Sequence, residues 1–141
     1  MKKIYLSIIV LLVAISSQAQ APQAFSYQAV IRNASNVLVS NQLVGEKISL
    51  LKDSATGKVV YSETQSVKTN TNGLVSLQIG AGSVLSGSFK NIDWASGNYY
   101  VKIETDPTGG NSYSISIASQ LLSVPYALYA ANGGTDRKSV V

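Results

Sequence analysis

Apolar and polar residues alternate with a period of two along most of this chain. The runs are short and broken by Gly, Asn, Asp and Pro clusters, a pattern that predicts half-buried strands rather than helices. Phe25, Tyr27, Ala29 and Ile31 alternate with Ser26, Gln28 and Arg32, and residues 33–36 turn the chain into 37–39. A strand over about 44–52 places Val44, Ile48 and Leu50 on one face. After a turn at 53–57, a strand over 58–68 directs Val59 and Tyr61 inward. Its polar half, Glu63 and Gln65, predicts an edge position or a bulge. The Asn72-Gly73 pair inside 69–73 predicts a type I′ hairpin into 74–79, with Val75, Leu77 and Ile79 inward. Residues 80–87 read as a loop with one apolar plug, Val84 or Leu85. Residues 89–94 read as a single helical turn seating Phe89, Ile92 and Trp94. Tyr99, Val101 and Ile103 then alternate with Tyr100, Lys102 and Glu104. A turn at 106–111 leads to Tyr113, Ile115 and Ile117, which alternate with serines. The apolar stretch 121–131 closes the domain, with Pro125 at an edge or a strand end.

Seven or so strands, each with one apolar face, predict an all-β fold: a two-sheet antiparallel sandwich preceded by a signal-peptide helix. The signal peptide rests on Lys2 and Lys3, the apolar run 4–15 and the small residues before Ala19. Cleavage is expected after Ala19, with Ala21 the second choice. The apolar run is too short for a spanning helix, which needs ~20 residues. No cysteine follows it to carry a lipid. The organisation expected is therefore a signal peptide over 1–19, a sandwich over 20–131 and a tail over 132–141. After cleavage the chain is expected to be secreted or on the outer surface of a Gram-negative cell, and not an integral membrane protein.

The mature chain loses the charges of Lys2 and Lys3, so the net charge of +4 falls to about +2. The remaining basic residues form no run, so no nucleic-acid partner is expected. There is no His and no Cys. The commonest general base, the thiol nucleophile and the usual zinc ligands are thus missing, and no Ser-His-Asp triad can be built. Seven carboxylates remain, without a motif for a paired-carboxylate hydrolase. The expectation is a non-enzyme without cofactor, metal or catalytic residues. With no disulfides, sheet hydrogen bonds and packing must hold the fold.

The Thr69 to Gly73 turn followed by Gly97 and Tyr99 resembles the prealbumin-like or carboxypeptidase-regulatory type of sandwich, within an immunoglobulin-like or prealbumin-like fold class. A more specific resemblance is carried by residues 22–30 (PQAFSYQAV) and 120–130 (QLLSVPYALYA), with Gly73, Leu74 and Val75, Asp93 and Trp94, and residues 104–107 between them. These resemble the two ends and interior of a β-sandwich module found at the N-terminus of secreted Bacteroidetes multi-domain surface proteins. The resemblance implies a structural or interaction module whose partners are the downstream domains of a larger protein. An extracellular glycan or protein ligand is the alternative. It implies no site residues. The last six residues, 136–141, match one reading frame of a widely used sequencing adapter, so the chain is expected to be a truncated fragment with an artefactual end.

Several residues invite chemistry. Asp53 and residues 106–111 carry oxygen ligands but lack calcium-loop spacing, and read as turns. Trp94, Tyr99, Tyr100, Tyr113, Tyr126 and Tyr129 could stack on sugars, although alternation assigns about half to the core and leaves Tyr100 outward. Lys47, Lys58 or Lys102 with Glu63 or Glu104 could supply parts of an isopeptide cross-link. Asp53-Ser54-Ala55 and Asn33-Ala34-Ser35 resemble short glycosylation signals.

Overall fold

The computed structural model describes Lys2, Lys3 and residues 23–122. The apolar run 4–15 and the cleavage site expected of a signal peptide, the 123–131 stretch with Pro125, Tyr126 and Tyr129, and the 132–141 tail lie outside the described residues. The fold is all-β, with seven antiparallel strands in two sheets. β1 (Phe25–Val30) takes its partner from later in the chain. β2 (Leu43–Lys52) and β3 (Lys58–Lys68) form a long hairpin. β4 (Leu74–Ile79) pairs with β1 in a two-stranded sheet. β5 (Ser83–Gly87), β6 (Tyr99–Asp106) and β7 (Ile115–Leu121) complete a five-stranded sheet in the order β5-β3-β2-β6-β7.

The sandwich-like core follows from alternation. Val44, Ile48 and Leu50 of β2, Tyr61 of β3, and Tyr99, Val101 and Ile103 of β6 are buried beside Val75, Leu77 and Ile79 of β4. Register keeps these side chains together, since Leu50 lies opposite both Tyr61 and Val101, and Ile48 opposite Ile103. Each such burial contributes ~1.5–3 kcal/mol toward offsetting the ordering of the strands. A 3-10 turn at Phe89–Asn91 seats Phe89, Ile92 and Trp94 as the pattern predicts. Trp94, the single tryptophan, lies 5.6 Å from Phe89, 6.0 Å from Phe25 and 5.2 Å from Tyr99, ring centre to ring centre.

Of four expectations, three need correction and one is met. Residues 69–73 do not make a type I′ hairpin. Among the described residues Asn72 has no positive φ, and only Gly73 (φ 72°) reaches the left-handed region in this turn. The turn carries the chain between sheets, because β3 ends against β2 while β4 begins against β1. Second, the expectation for the polar half of β3 is met by its bulge, which lies between Ser62 and Glu63 in the pairing with β5, the strand that flanks β3 on the side away from β2. Third, residues 83–87 form a strand rather than a loop, and Val84 and Leu85 are both more than half exposed instead of plugging the core. Last, Val59 faces outward at 45 % exposure. A register shift pairs Leu50 with Tyr61 but Leu51 with Val59, leaving Val60 as an extra residue that flips Val59 to the other face.

Candidate functional site

The five-stranded sheet has a face turned away from β1 and β4, and that face carries the polar side chains of β2, β3 and β6. Lys47, Ser49 and Leu51 lie opposite Glu104, Lys102 and Tyr100 on β6, and opposite Thr64, Ser62 and Val59 on β3. Glu104 joins two lysines, with Lys47 Nζ 3.2 Å from Oε2 and Lys102 Nζ 3.3 Å from Oε1. Partial burial pushes the Glu104 carboxyl up, but the two ammonium groups outweigh it and leave the pKa below the ordinary carboxylate range. Both lysines keep about a third of their side-chain surface exposed.

Two pockets open on this face. One, of 340 Å³, lies between the 55–57 turn and the lysine pair, with Leu51, Val59 and Ser49 in its lining. The other, of 210 Å³, lies between β3 and the 107–113 loop, and is lined by Thr64, Ser66, Ser83, Asn111 and Tyr113 among others. Lys47 connects them, since it lines the first pocket and its Nζ stands 5.8 Å from the Tyr113 ring centre.

The 107–113 loop is held from beneath by Asp106, which accepts hydrogen bonds from Thr108 N (2.8 Å), Thr108 Oγ1 (2.6 Å) and Ser112 N (2.8 Å). These bonds, the Thr108 hydroxyl first, hold the Asp106 carboxyl below its usual range. Asp106 thus organises a turn, as its sequence context suggests. Gln42 adds a side-chain bond to the Pro107 carbonyl. Gly45 is what lets the loop lie on the sheet, because a Cβ there would stand 2.0 Å from the Gly110 carbonyl oxygen. Gly45→Ala is expected to lift the loop, displace Tyr113 and cost about 1–3 kcal/mol, the usual range for overpacking. Urea titration and amide chemical-shift mapping check this. Shifts confined to residues 43–47 and 105–113 are the expected result, and an unperturbed loop would refute it.

A family model described as Domain of unknown function (DUF8740) matches residues 26–120. The chain belongs to that family. The DUF8740 match runs from within β1 into β7 and takes in every residue named on the outer face. No curated protein and no solved structure matches the chain.

Within this DUF8740 fold the remaining candidates separate. Trp94 and Tyr99 are buried, and Tyr99 donates its hydroxyl to the Asp93 carbonyl at 2.6 Å. Tyr100 and Tyr113 are half-buried on the outer face and form no joint platform with them. Glu63 is on the opposite face of the sheet from Lys47 and Lys102, so those parts of an isopeptide site are not brought together. Lys58 is exposed at the start of β3. Asp53, Ser54 and Ala55 lie exposed in the turn after β2, and Asn33 uses its Oδ1 to accept from Ser35 N and Val37 N. No group of three His, Cys, Asp or Glu among the described residues is arranged to hold a metal ion.

Two interior carboxyls complete the picture. Glu63 is fully buried and accepts four bonds: from Tyr61 Oη (2.5 Å), Gln65 Nε2 (2.6 Å), Gly80 N (3.0 Å) and Gly82 N (3.2 Å). Glu46 is equally buried, accepts one bond from Thr105 Oγ1 (2.7 Å), and leaves Oε1 unpartnered. Burial pushes its carboxyl up to about 7, against a smaller lowering by Thr105. Sequence reading passed over Glu46, although its place between Val44 and Ile48 in the inward register marks it as an interior acid.

Proposed function

We propose that this DUF8740 chain is a non-catalytic, exported module that stands at the N-terminus of a larger cell-surface protein of a Gram-negative bacterium. The downstream domains of that protein are its structural partners. Export is supported by the basic start, short apolar run and small residues of 1–21, and the surface-protein setting by the resemblance of residues 22–30 and 120–130. The observation that carries the non-catalytic reading is the engagement of the carboxylates. Glu63 receives four donors, Asp106 three and Glu104 two lysines, all from the protein itself, so these acids brace loops and strands. Glu46 faces the layer between the sheets, where Thr105 occupies one oxygen.

A second reading, a carbohydrate- or protein-binding adhesin, is favoured by the two connected pockets on the outer face.

Expression of the full chain in a Gram-negative host, followed by intact-mass analysis, tests the first reading. A product beginning at Gln20, outside the inner membrane, is the expected result. An unprocessed chain retained in the cytoplasm would overturn export, and turnover of glycoside, ester or peptide substrates by the purified mature protein would overturn the non-catalytic assignment.

A further inference from the structure

The bulge at Val60 has a consequence at the outer face. Without it, Val59 would join the core with Tyr61, as simple alternation predicts. With it, an exposed Val59 stands beside Leu51, which is 4 % exposed, and the two put an apolar wall and floor into an otherwise polar pocket. Bulges commonly re-aim side chains beside binding sites.

Charge adds a second, independent observation. Lys47 and Lys102 share one carboxylate, so the cluster keeps a net positive charge, and each ammonium has three N–H groups of which Glu104 takes one. An apolar surface for a C–H face, a surplus cation beside it, the Ser49 hydroxyl, and an aromatic ring reached through Lys47 are the complement of an anionic pyranose. The second pocket, with Asn111 and the Thr64 and Ser66 hydroxyls, extends the surface along β2 for a following sugar.

We propose that the outer face of the β3-β2-β6 strands binds an anionic glycan, with the acid group of one sugar at Lys47 and Lys102, its apolar face on Leu51 and Val59, and the next sugar against Tyr113 and Asn111. An acidic peptide would satisfy the lysines but leave the paired apolar and hydroxyl surfaces without a matching rigid ring, so the sugar is the better complement. The proposal deepens the binding reading above and does not depend on export.

The test is titration calorimetry of the full mature chain with hexagalacturonate, a sulfated dextran fragment, neutral cello-hexaose and poly-glutamate. Binding of one or both anionic sugars, with no binding of the neutral one, is expected, and the comparison between them tells carboxylate from sulfate. Lys102→Gln and Lys47→Gln should each weaken it roughly fivefold, as for exposed ion pairs. Affinity should fall as salt rises. Tyr113→Ala should weaken hexagalacturonate binding while leaving that of free galacturonic acid, titrated alongside, unchanged. Failure of both anionic sugars to bind, equal binding by the lysine variants, or poly-glutamate binding as tightly would each overturn the proposal. Correct export with no sugar binding would remove this site while leaving the structural-module reading in place.

Discussion

Glu63→Ala is expected to bring the fold close to its stability limit. The Glu63 carboxylate is the common acceptor for a phenol, a side-chain amide and two backbone amides, and it fastens the β4–β5 connection to the underside of β3. Removing it strands the buried Tyr61 Oη, at about 1–3 kcal/mol, and takes the shared acceptor from the half-buried Gly80 N and Gly82 N, at about 0.5–1.5 kcal/mol each. A total loss of at least about 2 kcal/mol is then set against a whole-domain stability of ~5–15 kcal/mol. The connection lies close on β3, since a Cβ at Gly82 would meet the Thr64 carbonyl oxygen at 2.6 Å. Glu63→Gln should be milder. Its amide oxygen can keep the Tyr61, Gly80 and Gly82 bonds while its NH2 confronts Gln65 Nε2. Urea unfolding followed by Trp94 emission ranks the variants. A Glu63→Ala midpoint equal to that of the unmodified protein would show that water, not Glu63, satisfies those donors.

Glu46 leads to the opposite kind of result, a substitution that stabilises. In the unfolded chain its pKa is near 4.5, and in the fold it rises to about 7 because burial disfavours the charge. The folded state therefore holds this proton more tightly between those two values. Stability is greatest below about pH 4.5 on this account, falls as pH rises toward 7, and then levels off. A difference of this size corresponds to about 3 kcal/mol between the two ends. Glu104 and Asp106, whose pKa values are lowered, act with the opposite sign, losing their contribution as pH falls through the acid range. The window from pH 5 to 8 thus isolates Glu46. Glu46→Gln should flatten the decline there and be about 3 kcal/mol more stable than the unmodified protein at pH 8, a gain that shrinks to about 1 kcal/mol at pH 5. Urea midpoints across that range decide it, and a decline unchanged in Glu46→Gln would assign the pH dependence to another group.

The strands whose two faces differ cleanly were legible as sequence. Val44, Ile48 and Leu50, then Val75, Leu77 and Ile79, then Tyr99, Val101 and Ile103 all face the core as alternation requires. The misreadings have physical causes. One extra residue inverts the parity of Val59, and nothing local to Lys58 or Val59 announces it. The Asn-Gly turn is chemically competent for a hairpin, but Thr69 is tied to Gln42 through bonds to both its backbone N–H and its carbonyl, which keeps the end of β3 on β2 while Leu74 departs to β1. β5 is exposed along its length, so no buried face marks it as a strand. The outer-face site was legible only in pieces. Lys47, Lys102, Glu104 and Tyr113 are visible in the sequence, whereas their convergence needs the β2-β6 register and the loop seated over Gly45.

The pairing of β1 with β4 also sets a time order. Ser26 and Gln78 are 52 residues apart and Gln28 and Ser76 are 48, yet each pair is joined across this small sheet. Phe25 must travel further still to reach Trp94. Closing such long loops costs entropy before any ladder bond compensates it, whereas the β2–β3 hairpin needs only the short turn at 53–57. The first strand to be synthesised is consequently among the last to find its place. Until residues 74–79 arrive, β1 has no partner strand on which to complete its sheet.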